Sequence, residues 1–304
     1  MLTRRELLKL LSALGLATSF PISAWGKPGS QLMRKIPASG EMIPAMGLGT
    51  SRTFDVGPDE FEREPLLEVL DEFIKQGGSL IDSSPMYGHA ETVIGDLASQ
   101  LKVQKKLFYA TKVWTSGRRA GIEQMEQSMQ RMKTRVIDLM QVHNLVDTDT
   151  HMKTLTKWKE QGKIRYIGIT HYLVEHFDEL EATMKKYKLD FVQLPYSIVT
   201  REAEQRLLPL ARDKGIAVLV NRPYEKAALF RKVKNQPLPA WAAEFDCHSW
   251  GQFFLKFILA NQDITCVIPA TSKTKHLVDN MGAGLGKLPN EEARKKMYKL
   301  VASL

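Results

Sequence analysis

Cysteine is almost missing: 304 residues hold only Cys247 and Cys266. Cys266 lies in the apolar run Thr265-Cys266-Val267-Ile268, which reads as a buried strand, and Cys247 belongs to a loop or helix start. Nothing places the two thiols together, so no disulfide framework is expected and packing alone must hold the fold. CxxC, HExxH and EF-hand spacings are missing, which argues against a dedicated metal site. No GxGxxG follows the first predicted strand, and Gly282-Ala283-Gly284-Leu285-Gly286-Lys287 fits neither that spacing nor the P-loop one. Runs of five or more like charges are missing too. The formal charge of +9 is scattered through helical segments, so it reads as a solvated basic surface rather than a nucleic-acid footprint, with a local need to hold an anionic cofactor as the sharper alternative.

Long apolar runs are also lacking. Thr3-Arg4-Arg5-Glu6-Leu7-Leu8-Lys9 precedes a weakly apolar stretch from Leu10 to Ile22 that is shorter than the ~20 residues needed to span a bilayer, so no stable membrane span is expected in the mature chain. A small-residue pattern follows at Ile22-Ser23-Ala24. The segment resembles a twin-arginine (Tat) export signal, with Leu7 where Phe is common, and an amphipathic first helix is the alternative. The resemblance implies a signal peptide over 1–26, cleaved near Ala24–Gly26, passage through the Tat machinery and a periplasmic mature protein. Tat substrates cross folded, so a cofactor acquired in the cytoplasm can travel with its protein. Residues 27–32 read as a linker and 33–304 as a single domain.

What the chain does have is a repeating unit. With 43% apolar and 25% charged residues it can bury one large core. Beyond a small hairpin over 33–43, turning at Ser39-Gly40, short β-rich runs alternate with segments of helical period. Met46–Thr50, Ser79–Ser83, Leu107–Val113, Val136–His143, Tyr166–Thr170, Phe191–Tyr196, Ile216–Asn221 and Thr265–Ala270 read as strands. Leu66, Leu67, Val69, Leu70, Phe73 and Ile74 form an apolar helical stripe ended by Gly77-Gly78, and comparable helices follow the later strands. Strands with near-continuous apolar interiors, each followed by a helix, predict a closed (β/α)8 TIM barrel of the α/β class, with an open doubly wound sheet as the alternative.

A parallel barrel gathers its chemistry at the C-terminal ends of its strands. There the sequence delivers Asp82, Lys112 and His143, with Tyr87 in the loop after the second strand. Taken singly they have plain explanations: a turn cap, a snorkelling lysine, a core histidine, loop packing. Taken together they make a proton donor. A phenol is a poor acid at neutral pH, a nearby ammonium favours its phenolate, a carboxylate keeps that ammonium in place, and an imidazole can orient a carbonyl.

Gly78–Gly88, Lys112-Val113-Trp114, Asp138–His143 and Gly162–Thr170 resemble the aldo-keto reductase family, over nearly everything from Met33 to Gly284. The resemblance implies an oxidoreductase that reduces an aldehyde or ketone, or runs the reverse oxidation, with Asp82, Tyr87, Lys112 and His143 as its catalytic tetrad. It implies a nicotinamide cofactor lying across the barrel mouth, NADP(H) in preference to NAD(H). Gln193 and Thr170-His171 would hold the carboxamide, the family having Ser-Asn where Thr170-His171 stands. Tyr196 would stack on the nicotinamide ring and Arg222 would approach the pyrophosphate. Thr271, Lys273 and His276, at a helix start, would meet a 2′-phosphate, and Asp279 and Asn280 the adenine. Trp114 and Met86 would line the carbonyl pocket. A cofactor-binding sensor or accessory subunit with slow turnover is the alternative from another functional class.

Overall fold

The computed structural model describes residues 30–304, so the export signal expected over 1–26 and the first residues of the linker lie outside the described residues. The chain first forms the hairpin of β1 (Met33–Lys35) and β2 (Met42–Pro44), antiparallel, with Met33 facing Pro44. Gly40 takes a φ of 79° in its turn, a conformation open to glycine at little steric cost. Ile36 and Ile43 are buried and join the inner apolar cluster of the barrel, so the hairpin plugs its base.

Eight parallel strands then follow in sequential order: β3 (Leu48–Gly49), β4 (Leu80–Asp82), β5 (Phe108–Val113), β6 (Ile137–His143), β7 (Ile164–Thr170), β8 (Phe191–Pro195), β9 (Ala217–Asn221) and β10 (Cys266–Val267). Parallel bridges from Met46 to Val267 and from Gly49 to Ala270 join the two edges. Glycine is required at this seam, because a Cβ on Gly49 would lie 2.7 Å from the carbonyl oxygen of Ile268. The expected eighth strand over 265–270 is cut to two ladder residues, and the closure is completed by single bridges.

Side chains alternate between two cores, as strand geometry demands. Leu80, Phe108, Ala110, Leu139, Tyr166, Phe191, Ala217, Leu219, Cys266 and Ile268 fill the barrel. Their neighbours Ile81, Tyr109, Met140, Ile167, Val192 and Val218 face outward, onto the helical layer. That layer comprises α1 (Glu60–Lys75), α2 (Ala90–Leu101), α3 (Arg118–Arg131), α4 (Thr148–Glu160), α5 (Phe177–Lys186), α6 (Leu207–Lys214), the short α7 (Ala228–Lys232), α8 (Trp250–Leu259), α9 (Thr274–Gly282) and α10 (Glu291–Ser303). In α1, Asp59 caps the start by accepting the Phe61 N–H at 2.9 Å, and Leu66, Val69, Leu70 and Phe73 are its buried stripe. Each such side chain contributes about 1.5–3 kcal/mol on burial. Cys247 and Cys266 are both buried and free. No helix among the described residues is long and apolar enough to cross a membrane.

Candidate active site

Strand alternation turns polar at the C-terminal rim. The inward positions there are Asp82 on β4, Lys112 on β5, Gln141 and His143 on β6, Thr170 on β7, Gln193 on β8 and Asn221 on β9. Lys112 Nζ donates to Asp82 Oδ2 at 2.7 Å and to the Ser83 carbonyl at 2.6 Å, with both side chains almost fully buried. Burial is the largest influence on this ammonium and pulls its pKa down, but the Asp82 charge and the Tyr87 phenol together outweigh it and leave the pKa raised. The other Asp82 oxygen accepts from Gln141 Nε2 at 3.1 Å and Gln193 Nε2 at 2.9 Å. Thr170 and Asn221 donate to Gln193 Oε1 at 3.2 and 3.3 Å. An ion pair and four amides or hydroxyls thus form one hydrogen-bonded layer, the condition under which buried polar groups are tolerated. Gln141 and Asn221 carry no motif that names a role for them; inward parity, two residues before His143 and at the exit of β9, is the signal that marks them.

Tyr87 stands above this layer. Lys112 Nζ lies 5.1 Å from its ring centroid, and its ring meets His143 edge-on at 6.3 Å. The turn that carries Tyr87 is pinned from below: Gly88 has φ 57°, a Cβ there would fall 2.0 Å from Asp55 Oδ1, and that oxygen accepts the His89 N–H at 2.8 Å. The same backbone bond is the first cause of a lowered Asp55 pKa. Burial, then the charge of Lys112 and the neighbouring His171, drives His143 down to about 3, so its imidazole is neutral at physiological pH. Trp114 lies 6.4 Å from His143 between ring centroids, and Trp114 and Met86 are both exposed at the mouth. Asp82, Tyr87, Lys112 and His143 therefore meet in one place, with Trp114 close by, just past the end of β5, and Met86 beside Tyr87 in sequence.

The residues expected along a cofactor are distributed less uniformly. His171 is buried, and its Nδ1 accepts the Leu173 N–H at 3.2 Å. Its pKa is lowered, first by burial and then by His176. His176, His171, Tyr172 and Arg222 form a contiguous row: His176 is tilted against His171 at 3.9 Å between ring centroids, His171 stacks on Tyr172 at 5.6 Å, and the Arg222 guanidinium lies 4.3 Å from the Tyr172 ring. At the start of α9, Thr271 Oγ1 accepts the Lys273 N–H at 3.1 Å, while the Lys273 and His276 side chains are exposed. The His276 pKa is lowered by partial burial and then by Lys275 and Lys273, the mark of a local concentration of positive charge. Asp279 instead accepts from Ser249 Oγ at 2.7 Å and Gln252 Nε2 at 3.1 Å, and Asn280 from the Tyr224 hydroxyl at 2.6 Å, so both hold α9 to its neighbours.

Tyr196 is not brought to the mouth. It is wholly buried in the outer core, near Phe257, with its hydroxyl between Glu204 and Arg294. Parity is the physical reason: Phe191 and Gln193 point inward, so Tyr196 points out. An aromatic ring enclosed by protein on every side has no face left for a nicotinamide.

Known proteins are similar to this chain in sequence and in fold. The aldo-keto reductase YhdN of Bacillus subtilis is 31% identical over 193 residues, 58% of this chain and just over half, 56%, of that protein. The NADH-specific methylglyoxal reductase of Escherichia coli is 28% identical over 246 residues, 69% of this chain and 73% of that protein. An aldo/keto reductase from Klebsiella pneumoniae, solved with NADP and acetate, superimposes with a TM-score of 0.73 at 22% identity, over 90% of this chain and 95% of its own. With the eight-stranded barrel in place, and with the aldo/keto reductase family model matching residues 45–296, the chain belongs to the aldo/keto reductase family of oxidoreductases.

Proposed function

We propose that this enzyme reduces an aldehyde or ketone to its alcohol, or catalyses the reverse oxidation, with NAD(P)H as hydride source and Tyr87 as proton donor. The observation that carries the reading is a buried ammonium, Lys112, paired with Asp82 at 2.7 Å and lying 5.1 Å from the Tyr87 ring centroid. A bound nicotinamide supplies the hydride that the carbonyl carbon gains. Negative charge then grows on the carbonyl oxygen, and Tyr87 releases its hydroxyl proton to it. The charge left on the phenol oxygen is stabilised by Lys112, which Asp82 holds in place in a site of low dielectric. His143, neutral at physiological pH, serves as a hydrogen-bond donor to the carbonyl oxygen rather than as the acid. Solvent returns the proton to Tyr87.

The residues present fit a nicotinamide dinucleotide. Asn221 Oδ1 is buried with no partner among the described residues, beside the Gln193 and Thr170 side chains, and a carboxamide N–H satisfies such an acceptor. Arg222 suits the pyrophosphate. Thr271, Lys273 and His276 suit a 2′-phosphate at a helix start, which favours NADP(H) over NAD(H). The E. coli relative is NADH-specific, so family membership alone does not decide, and the support for NADP(H) is the exposed Lys273 ammonium with His276 close to it in the first turn of α9. For the first 26 residues the Arg4-Arg5 pair and the small-residue pattern before Gly26 support export by the Tat route to the periplasm.

Tyr87→Phe tests the reading. It removes one oxygen and keeps the ring, so fold and NADPH affinity should survive while turnover of methylglyoxal or another small aldehyde falls by roughly 10²–10⁴-fold. Wild-type turnover in the variant would refute Tyr87 as the donor.

A further inference from the structure

The buried hydroxyl of Ser84 takes no part in the mechanism above, yet it touches the imidazole that does. Ser84 Oγ lies 3.2 Å from His143 Nδ1, and both residues are buried. A neutral imidazole has one N–H and one acceptor nitrogen, and which nitrogen holds the proton is set by the bond the other makes. A serine hydroxyl has one proton to give. Ser84 Oγ also accepts the backbone N–H of Met86, at 3.4 Å, and this engages a lone pair without using the hydroxyl proton. His143 Nδ1 is the remaining partner of that hydroxyl. If Nδ1 kept its own proton, the two hydrogens would confront each other or the hydroxyl would be stranded in a dry site without an acceptor, which is the costly arrangement. The consistent pattern runs from Met86 N–H to Ser84 O, from Ser84 O–H to His143 Nδ1, and leaves the proton on Nε2. No described residue engages Nε2.

From this we infer that Ser84 is a positioning residue that selects the Nε2–H tautomer of His143, so that the imidazole presents a donor, not a lone pair, to the substrate oxygen. The inference rests on the proposed carbonyl reduction for its consequence, but the tautomer itself can be read without any turnover. With two acceptor lone pairs facing each other, a carbonyl oxygen and an unprotonated Nε2 would repel, so the wrong tautomer withdraws the group that polarises the substrate. Neutral charge alone is not sufficient; the position of the proton matters.

The test is nitrogen NMR of the full protein with labelled histidine, comparing wild type, Ser84→Ala and Ser84→Thr, with His143→Gln to assign the signal. In wild type, His143 should show a protonated Nε2 and a hydrogen-bonded, unprotonated Nδ1. Ser84→Ala should shift its signals towards a mixture of tautomers and lower kcat for a small aldehyde about tenfold, with NADPH affinity unchanged. Ser84→Thr, which restores a hydroxyl, should recover both. A wild-type His143 protonated on Nδ1 would overturn the inference, as would a tautomer unaltered in Ser84→Ala. Because the wild-type spectrum decides the first point, the proposal is testable even if Ser84→Ala fails to fold. A correct tautomer with no effect of Tyr87→Phe on turnover would instead count against the proposed reaction.

Discussion

Replacing Lys112 by methionine should expose how much of this fold depends on its catalytic ion pair. The substitution nearly conserves volume and removes the cation that lies 2.7 Å from Asp82, where the two side chains are 1% and 4% exposed. Deleting one partner of such a pair costs about 3–5 kcal/mol, because the other charge stays buried. Asp82 keeps the amides of Gln141 and Gln193, which places the loss at the lower end, about 3 kcal/mol. For a domain of this size each kcal/mol lowers Tm by roughly 2 °C, so about 6 °C is expected. Adding Asp82→Asn should restore most of the stability, since the orphaned carboxylate becomes a neutral amide, and none of the activity. Aldehyde turnover should fall in Lys112→Met as it does in Tyr87→Phe, and the double variant should be little slower than the worse single one, because both changes disable one proton-donating unit. Thermal melts on the four proteins of the Lys112/Asp82 cycle and initial rates on the four of the Lys112/Tyr87 cycle decide the matter. Additive losses, or a Tm drop under ~2 °C in Lys112→Met, would show that the pair does not act as a buried unit.

Lys273→Ala should weaken NADPH far more than NADH, by the roughly 1.5–3 kcal/mol of a charged hydrogen bond to phosphate; equal losses in fluorescence titrations would make Lys273 a purely structural residue. Lys256 is wholly buried and donates to the carbonyls of Leu285 and Lys287 at 2.7 and 2.9 Å, and burial, opposed by Cys247 and Asp246, lowers its pKa from 10.5 to about 8. Between those two values the unfolded chain binds the extra proton, so stability should rise with pH. The stability difference between wild type and Lys256→Met should therefore grow by about 2 kcal/mol from pH 8 to pH 10 in denaturant titrations, and a flat difference would contradict it. Arg4→Lys with Arg5→Lys should trap the precursor in the cytoplasm; normal periplasmic accumulation on fractionation would end the export proposal.

Much of this was legible before any coordinates, and the reason is periodicity. The eight strands and the helices after them follow from apolar runs of two different periods, and Asp82, Lys112 and His143 follow from strand ends. The same rule, applied strictly, also turns Tyr196 outward, since it lies three residues after Gln193, and a family-based role for that tyrosine does not survive this parity. Gln141 and Ser84 are not legible in the sequence, because their importance lies in whom they bond rather than in their residue type. The loop after β9 was illegible for a different reason. Arg222, Glu225, Lys226 and Ala227 all take positive φ without a glycine to announce it, and the conformation is held by tertiary bonds such as Ser197 and Thr200 to Glu225. Likewise Asp279 and Asn280 have side chains suited to an adenine, and only the packed structure shows them committed to Ser249, Gln252 and Tyr224.

The hairpin at the base has a bearing on the chemistry at the opposite end. Ile36 and Ile43 close the floor with carbon, and the Tyr166 hydroxyl, bonded to Ser39 and Glu41, fastens that floor to β7. Water can therefore hydrate the Asp82–Lys112 pair only from above. Whatever settles on the mouth removes the little solvent that still reaches the pair, and a lower local dielectric strengthens every charge interaction there. A stopper of three-residue strands, remote from any reacting atom, thus lets occupancy of the rim set the electrical environment of the well.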